Sequence, residues 1–305
     1  MDLIFPDPAN EEAYLKYAGE VDAIVGWRPT EELISKAQKM KLFVNPGAGV
    51  RHLRDKFSKR QDVAVANSHG NAYSTAQHIV AMLLSATNKL IQHHQWMKAG
   101  KWRTGDKEGK SFQIKTLKIG LLGYGHINRQ VHEFLKPFQA EVYFCKRSED
   151  GITKEESHSF YPLERIHDFI SLVDVLIVTV PHTSGSESMI GAKELELLGE
   201  NGILINTGRG AVIEEEALYH ALQKKQIAFA AVDVWYKYDC DENEEGKKYP
   251  YKYPFHELEN ILFSPHRAAS PLEDLNRWSD VIFNLKQLCL NEPAYINVVD
   301  LRIGY

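Results

Sequence analysis

Between Lys118 and Arg147 the chain runs through an apolar strand (Ile119, Leu121, Leu122), a glycine turn (Gly123-Tyr124-Gly125-His126-Ile127-Asn128), a helix-like run and a second strand, Val142 to Cys145. That order constrains the fold more than any other feature. A strand that turns tightly into a helix and returns as a parallel strand is the opening unit of a doubly wound sheet. Glycines in such a turn let the backbone approach a pyrophosphate, and the helix start offers it unpaired N–H groups. Asn128 stands where a third glycine is usual. About twenty residues beyond the glycines, where an acidic side chain would accept ribose hydroxyls, stand Lys146, Arg147 and Ser148. Two cations and a hydroxyl suit a 2′-phosphate, so the segment reads as an NADP(H) site, with NAD(H) as the second cofactor. An ordinary solvated turn explains the same Lys-Arg pair, and Glu149 and Asp150 directly after it keep that explanation open.

Further apolar runs continue the alternation: Val175 to Val180, Gly202 to Asn206, Ile227 to Val234 and Ile261 to Ser264. Helical patterns fall between them, at Ile127 to Phe138, Leu163 to Leu172, Ala192 to Leu198 and Glu214 to Lys224. Buried strands joined by helical crossovers predict an α/β fold with a Rossmann-type, doubly wound parallel sheet. Two long helices are expected beside it. One starts near Ser74 with Gln77 completing a capping box and carries Ile79, Val80, Leu83, Leu84, Leu90 and Ile91; the other opens at Ser270-Pro271-Leu272-Glu273 and carries Leu275, Trp278, Ile282, Leu285 and Cys289. With 305 residues the chain is long enough for two domains. Hinges near residues 95 and 271 give a nucleotide domain, 96–270, inserted into a smaller discontinuous substrate domain, 1–95 with 271–305.

The net charge of −5 supplies no general field for nucleic acid or an anionic membrane, and neither is an expected partner. Three scattered cysteines (Cys145, Cys240, Cys289) make neither a disulfide framework nor a metal site and suit a reducing compartment. Nothing in the sequence reads as a leader or membrane span, so a cytoplasmic protein is expected.

The motifs Gly123-Tyr-Gly125-His-Ile, Val180-Pro-His-Thr183, Leu204-Ile-Asn-Thr-Gly-Arg-Gly210, Val232-Asp-Val234 and Ser264-Pro-His266 follow one another in the order seen in the D-isomer-specific 2-hydroxyacid dehydrogenases, and the chain resembles that family, which includes glyoxylate and hydroxypyruvate reductases, from roughly Asp22 to Val298. The resemblance implies a flavodoxin-like substrate domain, an active site in the cleft beside the nucleotide domain, and a homodimer built around the long helix near Ser74. It implies NAD(P)H-dependent, reversible reduction of a small 2-keto acid, such as glyoxylate or hydroxypyruvate, to the D-2-hydroxy acid. Met1 to Phe5 looks like the family's second strand, so the family's first strand and helix are expected to be missing, through either an abbreviated substrate domain or a truncated encoded start.

Such a reaction needs a carboxylate held, a carbonyl polarised and a proton delivered as hydride reaches carbon. Arg209, in a glycine turn after an apolar strand, suits the first two tasks because a guanidinium forks onto two oxygens. His266, just past the last strand, suits the third because imidazole titrates near neutrality. For the remaining histidines, His78 and His126 among them, a packed or solvated ring is the default. The amides of Ala48 and Gly49, in the turn Asn45 to Val50, could nest the substrate carboxylate. By resemblance, Gly123, Gly125, His126 and Ile127 would meet the pyrophosphate. Pro181 and Thr207 would line the cofactor, Asp233 would take the nicotinamide amide, and Ala268 would stand beside the ring. The family's glutamate partner for the histidine is missing: Tyr238 occupies its position, within a longer acidic loop whose Asp239, Asp241, Glu242 or Glu244 could substitute. That absence leaves open a non-catalytic, nucleotide-sensing protein resembling the family's corepressor branch, and Asp233-Val-Trp235 leaves open a formate- or phosphite-type dehydrogenase.

Overall fold

The computed structural model describes residues 1–7, 10–102, 109–271 and 276–302. Packing divides the chain into two compact units, Met1–Asn71 with Pro271–Tyr305, and Ala72–Ser270.

In the first unit, α1 (Glu11–Tyr17), β1 (Ala23–Val25), α2 (Glu31–Lys36), β2 (Leu42–Asn45) and β3 (Ala64–Asn67) alternate, and the three strands form one parallel sheet in the order β1-β2-β3. Thr30 caps α2 by accepting the Leu33 N–H, and Glu31 and Glu32 face the positive helix end. Both faces of β2 are covered: Phe43 packs into a cluster with Met40, Leu53, Phe57 and Val65, while Leu42 and Val44 pack with Ala66 and Val281. Double burial explains why β2 reads as a continuous apolar run. Met1 to Phe5 does not form a strand; these residues lie exposed, with Phe5 at 83%. The segment has no ladder partner among the described residues, and sequence pattern without pairing cannot make a strand.

The second unit opens with α3 (Ala72–Thr87) and α4 (Leu90–Lys98) and continues β4 (Lys118–Leu122), α5 (His126–Leu135), β5 (Glu141–Lys146), β6 (Phe160–Pro162), α6 (Ile166–Leu172), β7 (Val175–Val178), α7 (Ala192–Leu198), β8 (Ile203–Asn206), α8 (Glu215–Gln223), β9 (Phe229–Val232) and β10 (Ile261–Phe263). All its strands pair in parallel, in the order β10-β9-β8-β7-β4-β5-β6. Strand order reverses between β4 and β7, the switch point at which open α/β sheets bind ligands. The sheet is thus the expected one with a short seventh strand, β6, which three residues were too few to announce. Every residue of β7, β8 and β9 is buried, with separate apolar clusters on the two sheet faces.

The long helices differ from expectation. The first begins at Ala72, so Ser74 lies inside it and does not cap it, and it ends at Thr87. Thr87 Oγ1 donates to the Leu83 carbonyl and Asn88 Nδ2 to the Leu84 carbonyl, so both side chains fold back onto the last turn. Lys89 then turns left-handed, at φ 54°, and Leu90 and Ile91 belong to a separate helix. The first division by packing therefore falls at residue 71 and not near 95, because α3 buries Ile79, Met82 and Leu83 in the same cluster as Leu121, Val131 and Ile205. The C-terminal helix, α9, is described from Asn276 to Cys289 and buries Val281 and Asn284. Glu273 and Leu275, expected in its cap and stripe, lie outside the described residues.

Candidate active site and nucleotide edge

Parallel pairing puts the carboxyl ends of all seven strands on one edge, so the loops that follow them stand in sheet order. His266 follows β10, Asp233 follows β9, Thr207 and Arg209 follow β8, Pro181 follows β7, Gly123 follows β4 and Lys146 ends β5. At about 4.8 Å per strand spacing, the row from His266 to Lys146 runs roughly 24 Å, a length for an extended two-nucleotide ligand.

At the middle of the row, Gly123 sits at φ +83°, and a Cβ there would lie 2.8 Å from Val180 Cγ1, so only glycine is accommodated. Its N–H donates to the Cys145 carbonyl (2.8 Å), fastening the turn beside the end of β5. A Cβ on Gly125 would meet nothing within 4 Å, so the space above the turn is open. No side chain caps α5, whose first turn presents its amides at the turn's exit. Asn128, in place of the third glycine, is fully buried, and its Nδ2 donates to the Gly123 carbonyl (2.6 Å) and the Leu122 carbonyl (3.3 Å). The asparagine thus ties helix to strand by hydrogen bonds where a glycine would do so by close approach.

Behind the turn lies a polar network absent from the sequence reading. The buried Tyr124 hydroxyl is 2.6 Å from His132 Nδ1 and 2.7 Å from Glu156 Oε1. One hydroxyl has one proton, so Tyr124 donates to the carboxylate and accepts from the Nδ1–H of His132. Burial pushes the Tyr124 phenol up and the His132 imidazole down, while backbone and side-chain hydrogen bonds outweigh burial in holding Glu156 low. Arg129 lies over the Tyr124 ring (4.5 Å) and donates to the Gly151 carbonyl (2.5 Å). The segment after β5 is therefore anchored to the glycine turn. Within it, Lys146 Nζ donates to the Asp150 carbonyl (2.5 Å) and Ser148 Oγ to the Asp150 carboxylate (2.8 Å), while Arg147 is exposed.

At the other end, Asn206 shapes the loop that carries Arg209: its Oδ1 accepts the Gly208 N–H (3.1 Å) and its Nδ2 donates to the Arg209 carbonyl (3.2 Å). Gly208 and Gly210 leave no room for side chains against Val180 and Trp235, so the loop is pressed onto its neighbours. The Arg209 guanidinium is half-buried, donates to the Gly208 carbonyl (2.6 Å), and has its pKa lowered by lost hydration. Beside it the Thr207 hydroxyl is buried with no hydrogen-bond partner among the described residues.

Asp233 is 1% exposed, and its carboxylate gathers the loop after β10: it accepts from Ser264 Oγ, from the Arg267 N–H (2.7 Å) and from the Ala268 N–H (3.1 Å). His78, on α3, reaches Ser264 Oγ (3.0 Å) and stands 3.8 Å from the Asp233 carboxylate. Trp235 Nε1 adds a bond to the Ser264 carbonyl (2.9 Å). His78 therefore belongs to the buttress of this site, for which the sequence held no signal beyond an imidazole on a helix.

His266, between these anchors, adopts φ +56° and projects an exposed ring. The surrounding protein lowers its pKa, chiefly by desolvation, then by the charges of Arg209 and Arg267, with Asp233 opposing. Its ring neighbour is Tyr238, at 5.2 Å between centroids and 57° between planes. Of the candidate acids in the long loop, Asp241 pairs with Lys237 and Glu242 with Lys248. Among the described residues no carboxylate pairs with the His266 ring.

In the first unit, the turn after β2 has its carbonyls drawn inward. Asn45 Nδ2 donates to the Gly47 and Gly49 carbonyls, and Asn67 Nδ2 donates to the Ala48 carbonyl (2.8 Å). In a trans peptide the N–H points opposite the preceding carbonyl, so the Ala48 and Gly49 amides face away from those asparagines. Both residues are half-exposed. Gly47 lies so close to Trp27 that a Cβ would fall 2.4 Å from the indole.

A family model described as D-isomer specific 2-hydroxyacid dehydrogenase, NAD binding domain, matches residues 80–268. The chain belongs to this family. Among relatives in the family, the D-3-phosphoglycerate dehydrogenase of Archaeoglobus fulgidus is 28% identical over 276 residues, covering 89% of this chain and 48% of its own length. The glyoxylate reductase of Aeropyrum pernix is 28% identical over 277 residues, covering 87% and 79%. A solved structure of an NADPH-dependent glyoxylate/hydroxypyruvate reductase from Sinorhizobium meliloti, in complex with NADP and malonate, superposes with a TM-score of 0.73 at 25% identity, covering 94% of this chain and 86% of that one. The chain spans about half the length of several curated relatives it matches, 48% of the A. fulgidus protein and 56% of a formate dehydrogenase from Pseudomonas sp..

Proposed function

We propose that the protein reduces a small 2-keto acid, of the size of glyoxylate or hydroxypyruvate, to the D-2-hydroxy acid with NADPH preferred over NADH. One observation carries this reading. Arg209 and His266 emerge from β8 and β10 at one sheet edge, close enough that the charge of the first depresses the basicity of the second. A fixed cation next to a titrating acid is what carbonyl reduction requires.

The nucleotide edge fits a dinucleotide: an open space over Gly125, an uncapped α5, and a buried Thr207 hydroxyl with no partner among the described residues. Gly123, Gly125, His126 and Ile127 would hold the pyrophosphate, and Lys146 and Arg147 the 2′-phosphate. Ser148, having given its proton to Asp150, would contribute only after that bond is exchanged. Pro181, Thr207 and Ala268 would line the nicotinamide end, with Asp233 offering its remaining lone pair to the amide. A nicotinamide held by these residues would supply the hydride. Arg209 would fork onto the substrate carboxylate and keto oxygen, drawing charge toward that oxygen. His266 would deliver its proton there as the alkoxide forms, and regain one from water through its exposed face. A homodimer is part of the proposal, supported by α4, which buries no residue and exposes Leu90, Ile91 and Met97.

The unpaired His266 favours a second reading, a nucleotide-binding protein without turnover. The deciding experiment follows nicotinamide absorbance with NADPH or NADH against glyoxylate, hydroxypyruvate, pyruvate, bulkier 2-keto acids and, in the reverse direction, formate and phosphite. Turnover of a 2-keto acid supports the reductase. Nucleotide binding without turnover across the panel overturns it in favour of the sensing protein.

A further inference from the structure

We infer that Tyr238 is the positioning residue for His266, its ring setting the direction in which the imidazole delivers its proton. The inference rests on the reductase reading above and deepens it.

The backbone around His266 is fixed on both sides. Ser264 is held through its hydroxyl by Asp233 and through its carbonyl by Trp235 Nε1, and the Arg267 and Ala268 amides end on the same carboxylate. None of these bonds reaches the imidazole. Neither ring nitrogen has a hydrogen-bond partner among the described residues, so backbone anchoring leaves rotation about the side-chain bonds free. The side chain that closes this freedom is Tyr238, whose ring stands 5.2 Å from the imidazole and tilted against it.

Tyr238 is itself anchored. The amides of Tyr236 and Lys237, directly before it in the chain, donate to the Pro250 carbonyl (3.1 and 2.9 Å). The same segment therefore grips the Ser264 carbonyl through Trp235 and the His266 ring through Tyr238. The charges facing the imidazole are Arg209, Arg267 and Asp233, two cations against one carboxylate already committed to three donors. An imidazolium here has no anion of its own to orient it. An aromatic face attracts a cation without transferring charge to it, and so can orient the ring while leaving it a ready donor.

The experiment compares Tyr238→Ala and Tyr238→Phe in the full chain. Substrate and NADPH kinetics are measured across pH, together with the His266 ring proton signals in NMR spectra recorded with and without NADPH. Misdirection of a proton donor by an ångström costs up to about a hundredfold, so Tyr238→Ala is expected to lower kcat roughly tenfold to a hundredfold with KM for NADPH unchanged. Tyr238→Phe, which keeps the ring, is expected to recover most of that loss. The His266 signals should move downfield in the alanine variant and not in the phenylalanine variant, because a ring current is lost only in the first. Equal losses in both variants would assign the work to the hydroxyl and overturn the inference, as would an alanine variant with unaltered kcat. If wild-type protein turns over no 2-keto acid, the reductase reading has failed. An unmoved His266 signal in Tyr238→Ala then overturns the ring contact separately.

Discussion

Replacing Asp233 by asparagine tests the buttress on which the proposed proton donor stands. The two side chains are nearly identical in volume, so packing is preserved and only charge and acceptor capacity change. Oδ1 accepts from Ser264 Oγ and Arg267 N–H, and Oδ2 accepts from Ala268 N–H. An amide has one acceptor oxygen, so in either orientation at least one of these backbone donors faces an NH2 group. Bonds to a charged acceptor are worth roughly 1.5–3 kcal/mol, and a stranded buried donor costs roughly 1–3 kcal/mol more. Part of this returns because a neutral amide is cheaper to bury than a carboxylate. The net expectation is a loss of about 2–4 kcal/mol in urea unfolding and a fall of about 5–10 °C in Tm. Turnover should fall more steeply than stability, since the affected donors flank His266. An Asp233→Asn protein within about 0.5 kcal/mol of wild type and with unchanged kcat would refute the claim that this carboxylate organises the loop.

Four further outcomes are expected. Reduction needs imidazolium, and the His266 pKa lies below its ordinary 6.5. Reductive kcat/KM should therefore decline with rising pH from below 6.5, while the reverse reaction rises through the same pKa; a reductive limb above neutrality would contradict the unpaired histidine. Arg209→Ala should raise substrate KM and depress kcat together, and Arg209→Lys should recover little, because a point charge cannot fork; full activity in the lysine variant would sink the bidentate role. Lys146→Asp with Arg147→Ala should weaken NADPH far more than NADH, and equal loss by calorimetry would remove the 2′-phosphate assignment. His132 is held neutral by burial, with its pKa below 6.5, so the unfolded chain takes up the proton first. Stability contributed by the Tyr124 network should be complete above about 6.5 and be lost as pH falls through the lower folded value. His132→Gln should flatten that limb in urea unfolding.

The sheet was legible because its central strands β7, β8 and β9 are buried on both faces and therefore continuously apolar, and because β4, β7, β8 and β10 are followed within three residues by glycine or proline. Glycine and proline also mark the loops that carry Arg209 and His266, but their assigned roles came from the resemblance to the family. What escaped the sequence were relations among polar residues distant in the chain. His78 meets Ser264, and Tyr124 meets His132 and Glu156, through geometry that no periodicity encodes. The break at Lys89 escaped for a related reason: the side chains of buried Thr87 and half-buried Asn88 turn back on the helix, which no periodicity marks. Pattern alone also misled at Met1 to Phe5, where the segment has no ladder partner among the described residues.

The loop beyond Trp235 divides its duties along its length. Its two ends meet where the Pro250 carbonyl receives the amides of Tyr236 and Lys237, and beyond that clasp Tyr251 and Phe255 pack against Trp235. Between the ends, the tip is a self-contained turn in which Asn243 accepts the amides of Glu245 and Lys247 and lysines pair with neighbouring acids. A clasp at the neck insulates the site from whatever happens beyond it. The tip is thus a natural graft point, where a reporter peptide or an epitope could be inserted while the aromatic neck keeps Tyr238 in register.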